Sequence, residues 1–130
     1  MTESLKPSEE NIEKVRVKCL FIEDHPSMIN SLRRYFRDFE NFVAVECHSV
    51  SDAMNAIKDN LPKVILLDNN LTPGGNEGLE IAKLIKKTEP DIKIYSTTND
   101  GALETVYEKM GIEHIDKGDL DAIQAILSQE

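Results

Sequence analysis

The sequence predicts an α/β domain of the three-layer, doubly wound (βα)5 type, built on a five-stranded parallel sheet. Two observations carry that prediction. The run Val64, Ile65, Leu66, Leu67 is apolar without alternation, which suits a strand covered by helices on both faces. Around it, short apolar runs alternate along the chain with segments of three- and four-residue apolar spacing, and strands joined in turn by helices pair in parallel through right-handed crossovers. The 130 residues contain no internal repeat and no Pro/Gly/Ser linker, so one domain is expected over residues 15–130, after a flexible tail at 1–14. That length buries a core without disulfides or a structural metal.

The elements follow in order. VRVKCLFI, Val15 to Ile22, is the expected first strand and delivers Glu23 and Asp24 at its end. Pro26 then stands where a first helical turn tolerates it. Met28, Ile29, Leu32, Tyr35, Phe36 and Phe39 recur at helical steps, leaving Arg33, Arg34 and Arg37 for solvent. FVAVEC (42–47) is the second strand, and Ser51 is the expected cap of a short helix with Ala53, Met54, Ala56 and Ile57 inside. The third strand is the run at 64–67. Beyond its loop, Leu79, Ile81, Ala82, Leu84 and Ile85 mark a helix that stops before Pro90, because the residue preceding proline avoids helical geometry. IKIYST (92–97) is the fourth strand. Asp100 caps a fourth helix through Leu103, Val106, Tyr107 and Met110, closed by Gly111 in a left-handed conformation. IEHID (112–116) is a short fifth strand and DLDAIQAILSQ (119–129) a fifth helix.

A formal charge of −9 argues against nucleic acid as a direct ligand, since backbone phosphates need a concentrated basic surface. No apolar stretch has the length of a membrane span, and the N-terminus lacks the layout of a signal peptide, so a cytoplasmic protein without membrane insertion is expected. Cys19 and Cys47 lie in apolar strand segments and are expected as free, buried thiols. Cys47 and His48 are adjacent and so point to opposite faces of a strand, and no second ligand pair stands at zinc-like spacing.

In open parallel sheets, ligands bind outside the carboxyl ends of the strands. Those ends deliver Glu23 and Asp24, then Asp68, then Thr97 and Thr98, then Asp116 and Lys117. Taken singly, each has a bland explanation. Asp68 can close an Asx turn, the acidic pair can favour a helix N-terminus, and Lys117 can be a surface lysine. Taken together they describe one chemistry. Carboxylates gathered in one crevice repel one another and call for a cation, and a hard, oxygen-rich site with few ligands suits Mg2+. A metal, an ammonium and a hydroxyl beside a nucleophilic carboxylate suit a phosphoryl group.

Four segments, FIEDHP, VILLDNNL, YSTTND and HIDKGDL, make the chain resemble the receiver domains of response regulators from bacterial two-component signalling, over about residues 15–128. The resemblance implies a flavodoxin-like sheet of order 2-1-3-4-5 and aspartyl phosphorylation at Asp68. It makes Asp24 a direct Mg2+ ligand with Asp68, Glu23 a ligand through water, and the backbone carbonyl of Asn70 a further ligand. Thr98, rather than Thr97, becomes the hydroxyl that moves toward the phosphoryl group, and Lys117 its ionic partner. The implied partners are a sensor histidine kinase or histidine phosphotransfer protein, then a downstream target or a second copy on the face of the fourth helix, fifth strand and fifth helix. Tyr107, Glu104 and Glu108 are candidate contacts there. The expected protein is a stand-alone switch rather than a turnover enzyme, since nothing follows the fifth helix.

The chain also departs from the family pattern. Pro73 follows the acceptor by five residues instead of four, so TPGGNEG makes a longer loop over the site. Asn99 replaces a small residue after the hydroxyl, His114 stands where an aromatic switch is common, and Gly118 replaces the proline that follows the lysine. His25 is expected at the rim, and His114 carries a charge that changes near neutrality. Two other readings remain. DNNLT (68–72) resembles the Asp-x-Asp-x-Thr motif of haloacid-dehalogenase-like phosphatases, but Asn70 replaces the second acid, which favours a persistent phosphoaspartate over turnover. The other is a phosphorylation-independent interaction module on the same fold.

Overall fold

The computed structural model describes residues 17–98 and 100–128. Five strands, β1 (Cys19–Glu23), β2 (Phe42–Glu46), β3 (Val64–Leu67), β4 (Lys93–Ser96) and β5 (Glu113–His114), form one sheet in the order β2-β1-β3-β4-β5. All four pairings are parallel, with Cys19 beside Phe42 and Val64, Val64 beside Lys93, and Tyr95 beside Glu113. The helices α1 (Pro26–Tyr35), α2 (Val50–Asn60), α3 (Glu77–Thr88), α4 (Gly101–Lys109) and α5 (Leu120–Leu127) alternate with the strands. No described helix is long and apolar enough to cross a membrane.

The unbroken apolar strands are explained by the two layers they separate. Cys19, Phe21, Val64 and Leu66 pack with Ile29 and Leu32 of α1, Phe36 at its C-cap, and Ile123, Ile126 and Leu127 of α5. The intervening residues Leu20, Ile22, Ile65 and Leu67 pack with Ala53 and Ile57 of α2, Ile81 and Ile85 of α3, and Tyr107 of α4. Each fully buried Leu, Ile or Phe contributes about 2 kcal/mol of transfer free energy. Both cysteines are free and buried, and burial pushes their thiols up to about 12.

Several boundaries differ from expectation. β1 begins at Cys19, because the amides of Val17 and Lys18 go to the carbonyls of Asn60 (3.1 Å) and Asn41 (3.0 Å) rather than into the ladder. Val15, the tail at 1–14, Asn99 and Gln129 lie outside the described residues. The cap of α2 is Ser49 and not Ser51: Ser49 is extended, and its hydroxyl accepts from Asp52 N at 2.9 Å, whereas Ser51 is already helical. β5 has two residues instead of five, since Asp116 starts a turn in which its carbonyl and carboxylate accept from Asp119 N and Gly118 N. Tyr35 and Val106 sit off the buried stripes of their helices and are 51% and 39% exposed. Arg33 is exposed as expected, yet its guanidinium donates twice to the Ala44 carbonyl, fastening α1 to β2.

Other expectations hold in detail. Pro26 opens α1, and the Asp100 carboxylate caps α4 by accepting from Ala102 N and Leu103 N. Past the end of α4, Gly111 adopts φ +79°, the region glycine enters without steric cost.

Candidate functional site

The carboxyl ends of β1, β3 and β4 gather the buried polar side chains. Glu23 ends β1 fully buried, Asp24 follows it, Asp68 follows β3 at 7% exposure, and Thr97 and Thr98 follow β4, both buried. Lys117 reaches in from the turn before α5. Its ammonium donates to Glu23 Oε1 at 2.8 Å and lies 3.7 Å from Asp68 Oδ1. His25 sits exposed at the rim, with Nδ1 2.7 Å from Glu23 Oε2. Asp116 is exposed and occupied in its own turn, outside this group.

The electrostatics follow from who holds the lysine. Burial alone would raise the Glu23 carboxyl, but hydrogen bonds from Lys117 and His25 outweigh it and hold the group below its ordinary value. Asp68 has the more distant share of the ammonium. Its carboxyl is pushed up to about 7, first by burial and then by the charge of Glu23. Burial would lower the Lys117 ammonium, and its bond to Glu23 with the nearby charges of Asp68 and Asp24 raises it instead. Lys117, with His25 at the rim, therefore serves an acidic cluster whose negative charge is gathered in one place.

The donor set fits a hard divalent cation. Ligand atoms of Glu23, Asp24, His25 and Asp68 all lie within 4.8 Å of one another. Asp24 Oδ1 is buried without a hydrogen-bond partner among the described residues: His25 Nδ1 stands 3.1 Å away but is directed to Glu23. A buried, unpartnered carboxylate oxygen facing other carboxylates is the arrangement that an oxygen-preferring ion such as Mg2+ satisfies.

The two threonines differ. Thr97 Oγ1 donates to the Leu67 carbonyl at 3.3 Å, while Thr98 Oγ1 stands past the strand and accepts from Asp100 N at 3.2 Å. His114, where the resemblance puts an aromatic switch, carries its Nδ1 3.8 Å from Glu104 of α4. The longer loop after Asp68 is tied by Glu77, whose carboxylate accepts from Leu71 N at 3.0 Å, Thr72 N at 3.3 Å and the Thr72 hydroxyl. Asn70 also donates from Nδ2 to the Gly75 carbonyl. Gly78 lets α3 approach closely, since a Cβ there would press on the Asp68 carbonyl and come within 2.5 Å of Asn69 Cα.

Tyr107 corrects an expectation. It is 1% exposed and does not belong to the outer surface of α4, because its hydroxyl turns inward and donates to Asn69 Oδ1 at 2.6 Å. Asn69 is fully buried, and its Nδ2 donates to Asn76 Oδ1 at 3.0 Å. Burial, and then the charge of Asp68, raise the tyrosine hydroxyl above its ordinary value. Sequence reasoning passed over Asn69, Asn76 and Glu77. The available signal was parity, which sends Asn69 to the face opposite Asp68.

A groove of about 790 Å³ lies at the opposite, amino edge, lined by Met54, Ile57, Leu61, Pro62 and Ile92 among others. None of the acidic cluster, Lys117 or the two threonines lines it.

Comparison with known proteins bears on the family and the fold. A family model described as the response regulator receiver domain matches residues 19–118. The curated proteins include no match to the chain. Among solved structures, the non-phosphorylated receiver domain of HemR from Leptospira biflexa is 20% identical, with a TM-score of 0.67 over 88% of this chain and 96% of that one. The receiver domain of the stress response regulator RcsB from Escherichia coli is 23% identical, with a TM-score of 0.67 over 85% and 92%. The response regulator TrrA from Thermotoga maritima, solved with Mg2+ and beryllofluoride, is 21% identical, with a TM-score of 0.66 over 84% and 94%.

Proposed function

The chain belongs to the response regulator receiver domain family, and from that premise we propose that it is a cytoplasmic phosphorylation switch whose acceptor is Asp68. The observation that carries this reading is the juxtaposition of Lys117 with Glu23 at 2.8 Å and Asp68 at 3.7 Å, beside the unpartnered oxygen of Asp24. A carboxylate oxygen of Asp68 attacks the phosphorus of a phosphohistidine on a sensor kinase or phosphotransfer protein. The P–O bond forms as the P–N bond breaks, and the departing imidazole takes up a proton. Lys117 pairs with the incoming phosphoryl oxygens, and Thr98 donates its hydroxyl proton to one of them. Asp24 and Asp68, with Glu23 through water and the Asn70 carbonyl, would hold Mg2+, which when bound would supply positive charge to the phosphoryl oxygens.

Output follows from what the new charge engages. Thr98 gives up its contact with Asp100 N when it turns inward, and Asp100 is the cap of α4. The population then shifts toward a different placement of α4. The outer face of α4, β5 and α5 carries Glu104, exposed Val106 and Glu108, and it is the proposed contact for a downstream target or a second copy.

Intact mass after incubation with Mg2+ and acetyl phosphate tests the reading. A phosphate adduct is expected, dependent on Mg2+ and absent from Asp68→Asn. No adduct under any phosphodonor, together with no Mg2+ binding by titration, would replace this function with a phosphorylation-independent interaction module.

A further inference from the structure

Strand parity separates two neighbours at the end of β3. Asp68 continues the face of Val64 and Leu66, toward α5 and Lys117, whereas Asn69 continues the face of Ile65 and Leu67, toward α2, α3 and α4. Asn69 is held there on every side. Its backbone carbonyl accepts from Gly78 N at 2.8 Å, its Nδ2 donates to Asn76 at the start of α3, and its Oδ1 accepts the buried Tyr107 hydroxyl of α4. It also sits between the acceptor Asp68 and Asn70, whose carbonyl is a proposed metal ligand. A displacement of the Asp68–Asn70 backbone therefore pulls directly on α4. On β5, His114 stands on the outer side, with Nδ1 3.8 Å from Glu104 of α4.

We propose that Tyr107 and Asn69 are positioning residues that couple the phosphoryl site to α4 through the Tyr107 Oη–Asn69 Oδ1 hydrogen bond. This rests on the receiver reading above and adds the route by which its signal leaves. The bond joins two side chains excluded from water, so its loss is not compensated by solvent. The Tyr107 ring fills the layer under α4, and its hydroxyl carries the link. Removing the hydroxyl alone separates packing from coupling.

Backbone amide NMR on the full chain, with and without Mg2+ and beryllofluoride, measures both ends at once. In the wild type, amides around Asp68 and Lys117 and those of α4 are expected to shift together. In Tyr107→Phe the site amides still shift, while the α4 response falls about fivefold, the scale of one uncompensated hydrogen bond. Asn69→Ala lowers the α4 response to the same extent, and the double variant lowers it no further. Lys109→Ala, an exposed position at the end of α4, leaves it unchanged. An α4 response in Tyr107→Phe equal to the wild type, or strictly additive effects of the two single variants, overturns the coupling alone. A wild-type protein with no Mg2+-dependent shift at Asp68 overturns the receiver reading and the coupling with it.

Discussion

The two edges of the sheet bury different things. At the carboxyl edge lie Glu23, Asp68, Asn69, Ser96, Thr97 and Thr98, the buried polar and charged residues among those described. At the amino edge β1, β2 and β3 begin at buried Cys19, Phe42 and Val64, and the charged starts of β4 and β5, Lys93 and Glu113, stay exposed, beside a groove lined by Met54, Ile57 and Ile92 among others. Taking an ion out of water costs several kcal/mol, which an apolar side chain of similar size does not. Stability alone would make both edges resemble the amino one. The carboxyl edge is a place where the fold tolerates cost, and the cost is concentrated where a phosphoryl group and a cation would relieve it.

The strongest test of that contrast is to remove the ammonium that Glu23 and Asp68 share. Lys117→Met leaves the Glu23 carboxylate fully buried without its 2.8 Å ammonium partner. Removing one partner of a buried pair costs about 3 kcal/mol, which urea denaturation of the metal-free protein should show. A loss of only a few tenths would mean that the edge is as tolerant as an ordinary surface, where such pairs contribute little.

Asp68→Asn is expected to act in the opposite direction. The Asp68 carboxyl holds its proton more tightly in the folded chain, at about 7 against an ordinary 3.8, because of burial and then the charge of Glu23. Its stabilising contribution is therefore complete below 3.8 and is lost as pH rises through about 7. Asparagine carries no charge to bury, so the metal-free variant should gain about 2 kcal/mol above neutrality and little in mild acid. Thermal melts in chelator between about pH 5 and pH 8 read this directly. A gain that does not change with pH would assign it to packing instead of charge.

Gly78→Ala probes the same edge through the backbone. The added methyl meets the Asp68 carbonyl and Asn69 Cα, neither of which is a flexible side-chain end. Overpacking of this kind costs about 2 kcal/mol, and relaxation would move Asp68, the proposed acceptor. Loss of phosphorylation rate should accompany the loss of stability. An unaltered rate would show that the proposed acceptor is insensitive to where α3 begins.

Much of this was legible in the sequence, for a physical reason. An unbroken apolar run such as Val64–Leu67 admits few explanations other than a strand between two helical layers, and parallel order then forces the strand ends together. Glu23, Asp24, Asp68 and Lys117 could be grouped before any coordinates were known, because topology does the grouping. The link from Tyr107 to Asn69 spans 38 residues and depends on how far α4 leans over the sheet. Spacing along the chain carries no record of that lean. Tyr107 fitted both an inner stripe and an outer surface, and only packing chose. The short β5 was overestimated because IEHID has the composition of a strand, while Asp116 takes the chain into a turn.

The smallest expected effect concerns Ser49 and Ser51, two serines at the carboxyl edge that composition does not distinguish. The deciding signal is three residues away. Asp52 donates its amide to Ser49 Oγ at 2.9 Å and accepts from His48 N at 2.9 Å, a reciprocal clamp of the capping-box type. Ser51 lies inside the helix and exposed, where a serine contributes little. Ser49→Ala should therefore cost about 1 kcal/mol and Ser51→Ala less than about 0.5 kcal/mol in the same urea titration. Equal effects from the two would mean that α2 starts about two residues later in solution, with Ser51 sharing the cap.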